Sequence, residues 1–124
     1  MALKIGVTES RAFAKTVHLE GRLNNETVAA FDAELERIAN SSATVVVLDL
    51  AGLDYISSVG LRSIFRLQKT MAARSGKALL VNPQPQVQKV FQIVNAADIS
   101  AVFASVQELD DYLDLMQRKV IDGE

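Results

Sequence analysis

The sequence has 124 residues, of which 49% are hydrophobic and 23% are charged, so it predicts one folded domain and excludes a disordered chain. Thirteen basic and fifteen acidic side chains give a net charge of −2, which argues against nucleic-acid binding because no excess of basic residues is present to hold a polyanion. The absence of cysteine excludes disulfides, thiolate chemistry and zinc sites with sulfur ligands, and it fits a reducing compartment.

The sequence shows neither a leader nor a membrane span. Polar residues follow soon after Val7, so the N-terminus lacks the apolar run and cleavage site of a signal peptide. The longest strongly apolar run, Val45 to Leu48, is far shorter than the roughly 20 residues that a membrane-crossing helix needs. We therefore expect a cytoplasmic protein that does not insert into a membrane.

The first third of the chain predicts two strands and a helix. Apolar and polar residues alternate over Leu3–Val7 and again over Phe13–Leu19, which is typical of strands. Asn24 and Asn25 interrupt that pattern. From Glu26 the period changes to that of an amphipathic helix. Its apolar residues are Val28, Phe31, Leu35 and Ile38.

The middle of the chain predicts a central strand, a second helix and another strand. Thr44–Leu48 is a continuous, β-branched run, typical of a strand that is covered on both faces in a largely parallel sheet. After this strand, which ends near Asp49, a helical pattern reaches about Arg74. Ala78–Val81 then predicts another buried strand.

The last third predicts two more helices and a short strand. Pro85 is well placed to open a helix, Ile99–Phe103 fits a last strand, and Ser105–Glu108 has the form of a capping box that opens the final helix. We expect residues 117–124 to be frayed. The alternation of strands and helices predicts a single α/β domain over residues 1–124, with a mixed, mostly parallel sheet of four or five strands and helices chiefly on one face.

The residue types that carry out catalysis or bind metals are poorly represented. His18 is the single histidine, and inside a strand it is more often a surface residue than a ligand or base. Ser58 lacks the nucleophile elbow of hydrolases because Ile56 stands where glycine is required. No phosphate-binding loop surrounds Gly76. We therefore predict no catalytic residue, no metal and no cofactor.

Asp49 follows a predicted parallel strand, where ligands bind in α/β proteins. This position is similar to that of the phosphoacceptor aspartate in a response-regulator receiver. That family also has an acidic pair after its first strand, where this chain offers only Glu9, and a lysine after its last strand. An aspartate that orders the following turn is the favoured interpretation, and the receiver stays an alternative.

The second helix carries a basic face. At about 100° per residue, Arg62, Arg66 and Lys69 share the side of Ser58, which we predict to face solvent, whereas Ser57 falls on the buried side. The apolar residues predicted to face the sheet are Leu61, Ile64, Phe65, Leu67, Met71 and Ala72. The two serines could simply cap the helix, or one could be phosphorylated, since a helix N-terminus tolerates the added negative charge.

The same segment resembles the STAS family, the domain shared by sulfate transporters and bacterial anti-sigma factor antagonists. Leu48–Leu50 followed by Tyr55–Leu61 is similar to the family's strand, loop and D-S-[ST]-G-L signature. Gly21–Asn24 and Phe31 are similar to its G-x-L-[DN] turn and the following helix. The resemblance covers nearly the whole chain and implies a STAS-like fold.

In the antagonists, the resemblance implies phosphorylation of the serine before x-G-L, which is Ser58, by a partner kinase that is itself the anti-sigma factor. Ser57 stands where many antagonists have aspartate, Val59 replaces the usual small residue, and Ser57 is the second choice for the phosphosite. We expect the Ser58 hydroxyl to be reachable by solvent, since a buried one would argue against a switch. The predicted partner-binding residues are Asn24, Tyr55, Ile56, Ser57, Ser58, Val59, Gly60, Arg62, Arg66 and Lys69.

The functional hypothesis is an anti-sigma factor antagonist that sequesters a serine kinase of the histidine-kinase-like ATPase type. Phosphorylation of Ser58 would release the kinase, and a serine phosphatase would reset the switch. The main alternative is a constitutively bound STAS subunit of a lipid-transport ATPase, which would not need phosphorylation.

Overall fold

The computed structural model describes residues 3–11, 13–96 and 106–123, in eight helices and strands. They are β1 (Leu3–Arg11), β2 (Ala14–Leu23), α1 (Val28–Ala39), β3 (Val45–Ile56), α2 (Ser58–Ala73), β4 (Lys77–Val81), α3 (Pro85–Ala96) and α4 (Val106–Ile121). The strand predicted at Ile99–Phe103 lies outside the described residues. Within them, no helix is long and apolar enough to cross a membrane.

The described strands form one mixed sheet in the order β1-β2-β3-β4. β1 and β2 pair antiparallel as a hairpin, whereas β2–β3 and β3–β4 are parallel pairs connected through α1 and α2. β3 is longer than predicted, because residues after Leu48 continue to pair with β2 as far as Ile56, opposite Leu23. The register between β2 and β3 shifts before Glu20 and again before Arg22. Both shifts lie beyond Asp49, the last residue of β3 that pairs with β4.

All four helices pack on one face of the sheet. Phe31 of α1, Ile64 of α2, Val90 of α3 and Leu113 of α4 belong to a single buried cluster. Its strand residues include Val17, Leu19, Val46, Leu48 and Leu50, which alternate along β2 and β3 as one face of a pleated sheet must. The predicted mixed sheet with helices chiefly on one face is confirmed, and this face forms the core.

Several details differ from the sequence-based expectation. β4 has no buried residue, and Val45 and Val47 of β3 are only half-buried, because helices cover a single face of the sheet. Phe65 is 38% exposed and Ala72 is exposed, so the buried stripe of α2 is narrower than the apolar arc of the helix. The final helix continues to Ile121, well into the stretch expected to fray, because the side chain of Gln117 is fully buried and hydrogen-bonded there.

Candidate partner-binding site at the N-terminus of α2

The site lies where β3 ends and α2 begins. Ser57 has an extended backbone and precedes the first residue of α2, Ser58, as the sequence predicts. The Ser57 amide donates to the Leu23 carbonyl oxygen (3.0 Å), and the Ser57 carbonyl accepts from the Leu61 amide (3.0 Å), which starts the helix. The continuous pairing of β2 with β3 therefore sets the position of Ser58.

The Ser58 side chain is buried, with a relative exposure of 7%, and Ser57 is buried as predicted. Neither hydroxyl has a hydrogen-bond partner among the described residues. The Ser58 amide donates instead to Oδ1 of Asp110 in α4 (2.8 Å). The predicted solvent exposure of Ser58 was wrong, because the angular count considered α2 against the sheet and α4 covers the free end of α2.

Two predicted partner-binding residues lie beneath the surface and support the site. Ile56 is fully buried, and Gly60 packs so closely on β2 that an added Cβ would lie 2.7 Å from Cγ of Leu23. The glycine of the S-S-V-G-L segment is thus required for packing of α2 against the sheet. The buried Ile56 side chain therefore cannot contact a partner, and Gly60 has no side chain to offer.

Tyr55 forms the wall of the site together with Arg22, which the sequence analysis did not single out. The Arg22 guanidinium carbon lies 4.0 Å from the centroid of the Tyr55 ring, a cation–π contact. Burial, followed by the nearby Asp114 carboxylate, raises the pKa of Tyr55 above its ordinary value. Arg22 occupies the variable position of the Gly21–Asn24 turn motif, so the motif does not indicate its contact with Tyr55.

Asn24 orders the turn that precedes α1. Its side-chain Oδ1 accepts from the Glu26 amide (3.0 Å), and its carbonyl oxygen accepts from the Val28 amide (2.9 Å). The Asn24 amide donates to the Thr27 hydroxyl (3.0 Å), which donates onward to the Arg22 carbonyl. These bonds hold Asn24 at the rim of the site, beside Tyr55 and Ser57.

The predicted basic face of α2 is exposed. Arg62, Arg66 and Lys69 are all solvent-exposed and follow Ser58 along the helix over about 16 Å, whereas Val59 is half-buried. Arg66 also lines a groove between α1 and α2 that contains the carboxylates of Asp32 and Glu36. The outer face of α2 is therefore cationic, whereas the Asp110 carboxylate lies at its N-terminal end.

Asp49 lies on the open face of the sheet, away from this site. Its Oδ1 accepts from the Ala51 amide (3.1 Å), which lowers the pKa of the carboxyl, and its Oδ2 lies 3.0 Å from Nδ1 of His18. Nε2 of His18 lies 3.1 Å from the Thr8 hydroxyl. Across the described ranges, no group of three or more histidine or acidic side chains could hold a metal ion. Asp49 thus orders the backbone that follows it, as we expected. This backbone belongs to β3, however, rather than to a turn.

A family model for the STAS domain matches residues 6–109. This chain belongs to the STAS domain family. The match includes β2, β3, α2 and the first residues of α4, so it contains the predicted site residues from Asn24 to Lys69, whereas Asp110 and Asp114 lie just beyond it.

Two curated proteins are similar in sequence to this STAS domain. BtrV of Bordetella bronchiseptica, a candidate anti-sigma factor antagonist, is 37% identical over 60% of this chain and 65% of its own. The anti-sigma F factor antagonist of Lysinibacillus sphaericus is 29% identical over 61% of this chain and 66% of its own. The chain thus matches just under two thirds of the length of each relative.

Solved structures of the antagonist SpoIIAA share the fold. The unphosphorylated form superposes with a TM-score of 0.68 and 22% identity, over 74% of this chain and 81% of that chain. The phosphorylated Bacillus form superposes with a TM-score of 0.64 and 21% identity, over 73% and 83%. The receiver hypothesis for Asp49 is replaced by the STAS fold.

Proposed function

We propose that this STAS domain is an anti-sigma factor antagonist that binds a serine kinase when Ser58 is unmodified and releases it when Ser58 carries phosphate. The observation that carries the proposal is the position of Ser58, which is the first residue of α2 and directly precedes Val59-Gly60-Leu61. The names of both curated relatives support the same function.

The electrostatics at the start of α2 are compatible with an anion. The free amides and the dipole of a helix N-terminus favour negative charge, and the Asp110 carboxylate already accepts a hydrogen bond from the Ser58 amide. A phosphate would add about two negative charges to this surface. If the change costs about 3 kcal/mol of binding free energy, the affinity of the kinase falls more than a hundredfold.

Phosphorylation of Ser58 is the first prediction. We expect a kinase of the histidine-kinase-like ATPase type from the same genome to phosphorylate Ser58 with ATP, and a serine phosphatase to remove the phosphate. Mass spectrometry maps the site, and calorimetry compares the affinity of the kinase for each form. The Ser58→Ala variant should bind as the unmodified protein does, whereas Ser58→Asp should bind about a hundredfold more weakly.

One variant decides between the two serines, and a second controls for the added negative charge. Ser57→Ala should still be phosphorylated, and Ser42→Asp, which places a carboxylate at an exposed position outside the site, should bind normally. Phosphate on Ser57 in the unmodified protein would contradict the assignment. The buried Ser58 hydroxyl also suits a constitutively bound subunit of a lipid-transport ATPase. Stable copurification with such a transporter, without phosphorylation of either serine, would replace our proposal by that function.

We also propose that the partner binds to the basic face of α2. We expect replacement of Arg62, Arg66 and Lys69 by alanine to slow association with the kinase about tenfold and to reduce its salt dependence, because these charges are exposed. Charge reversal in Arg66→Glu should also weaken the unphosphorylated complex. Surface plasmon resonance at two salt concentrations measures both effects.

A second set of exposed cations provides the control for net charge. The variant Lys77→Ala/Lys89→Ala/Lys119→Ala removes the same number of positive charges from β4, α3 and α4. Its association rate should stay within about twofold of the parent protein. Equal rates for the α2 variant and the parent would exclude this face from the interface.

A further inference from the structure

The kinase step that we propose conflicts with the conformation of the site, since α4 covers its substrate. The Ser58 side chain is more than nine-tenths buried, and its hydroxyl has no partner in the described part of the chain. A kinase must place the terminal phosphate of ATP in line with this oxygen, which requires open space on the outer side of Ser58. In the structure, Asp110 of α4 lies at this end of α2, bonded to the Ser58 amide.

Polar bonds attach α4 over the site near its start and again two turns later. Near the start of the helix, Oδ1 of Asp110 accepts from the Ser58 amide. Two turns later the Gln117 side chain bonds to both backbone groups of Ile56: Oε1 accepts from the amide (3.0 Å) and Nε2 donates to the carbonyl oxygen (2.8 Å). Asp110, Gln117 and the buried Leu113 lie within about 60° of each other on the helix. Leu109 and Tyr112, beside this stripe, are partly buried against the core.

The remainder of α4 is suited to water. Charged and polar residues cover most of its outer side, where Leu115 is also exposed, and the opposite-charge pair Asp114–Arg118 supports the helix. The central strands are instead buried on the core face along their whole length. An element with few buried residues and polar attachments opens at lower free energy than the core unfolds.

We propose that α4 is a latch over Ser58, and that its local release exposes the Ser58 hydroxyl. The use of this release by a kinase rests on the proposed function. In the transfer, the Ser58 oxygen bonds to the terminal phosphorus of ATP, ADP leaves with the electrons of the broken bond, and the hydroxyl proton passes to a base of the kinase. The phosphate then occupies the place that Asp110 takes in the closed form, and two anions cannot share it, so the latch stays open.

The absence of cysteine from the sequence allows a direct test of the release. A thiol introduced as Ser58→Cys is labelled by a soluble disulfide reagent only when α4 moves away. Ser42→Cys serves as the exposed reference, and Ser63→Cys as the buried reference on α2, on the side facing α1. We expect the thiol at position 58 to react at least tenfold more slowly than the thiol at position 42.

Variants of Asp110 separate the latch from general destabilisation. Asp110→Ala removes the acceptor and should speed labelling at position 58 about tenfold, with no change at position 63. Asp110→Asn removes the same charge near the thiol but keeps an acceptor oxygen. Its labelling rate at position 58 should therefore stay within about threefold of the rate in the parent. Asp111→Ala, on the exposed side of the same helix, should have no effect. Gln117→Ala should also speed labelling at position 58, without altering any charge.

Three results would overturn the latch. The first is a thiol at position 58 that is labelled as fast as the thiol at position 42 when α4 is unaltered. The second is an equal increase in the labelling rates at positions 58 and 63 in Asp110→Ala. The third is an unchanged labelling rate at position 58 in both Asp110→Ala and Gln117→Ala.

Kinase assays on the same variants distinguish the latch from the proposed function. If both hold, Asp110→Ala is phosphorylated on Ser58 about tenfold faster than Asp110→Asn. If labelling responds as expected but Ser58 is never phosphorylated, the proposed function fails and the latch stands. If Ser58 is phosphorylated at the same rate in all variants and labelling does not respond, the latch fails and the function stands.

Discussion

Replacing Gly76 with alanine is expected to lower the free energy of unfolding by about 3 kcal/mol. Gly76 follows α2, where its amide donates to the Met71 carbonyl (2.8 Å). A Cβ at this position would lie 2.1 Å from the carbonyl oxygen of Thr44. That oxygen accepts the Lys77 amide, so relief of the clash displaces the first bond between β3 and β4.

Urea denaturation measures the loss, and Gly6→Ala provides the matched control. The nearest atom to a Cβ at Gly6 is Cβ of His18 at 3.9 Å, an ordinary van der Waals distance. The Gly6→Ala variant should therefore stay within about 0.5 kcal/mol of the parent. A loss below about 1 kcal/mol for Gly76→Ala would show that the α2–β4 turn adjusts without disturbing the strand pairing.

Replacing Gln117 with leucine is expected to lower the free energy of unfolding by about 2 to 4 kcal/mol. The side chain is fully buried, and leucine is similar in size but leaves the amide and the carbonyl of Ile56 without their partners. Removing one side of a buried hydrogen-bond pair costs more than the net value of the bond, because the remaining group is still withdrawn from water.

Denaturation and amide hydrogen exchange measure this effect together. The Ile56 amide should lose most of its protection, whereas amides of the central strand pairing, such as that of Leu48, should change only with global stability. Gln88→Leu, an exposed position on α3, should change stability by less than about 0.5 kcal/mol. Equal stability of Gln117→Leu and the parent would show that these bonds do not hold α4 in place.

Most helices and strands, and the place of Ser58 at the start of α2, could be predicted from the sequence, although β3 extends beyond Asp49 to Ile56. The β-branched run at Thr44–Leu48, the helical period that follows and Pro85 each specify a local conformation through the spacing of side chains along their own segment. The helical period after Ile56 likewise indicates the start of α2. Neither serine hydroxyl caps the helix, however, and Gly60 packs on Leu23 of β2.

Whether Ser58 faces water could not be predicted from the sequence, because it depends on contacts between distant segments. Helical angles predict which side of α2 faces the sheet. They do not predict whether another helix packs over the first turn and buries its residues. The contact between Ser58 and Asp110 joins residues 52 positions apart, and the contact between Ile56 and Gln117 joins residues 61 positions apart. No local period encodes such pairs, because a buried glutamine and an exposed one have the same sequence signal until the fold brings unpaired backbone groups beside one of them.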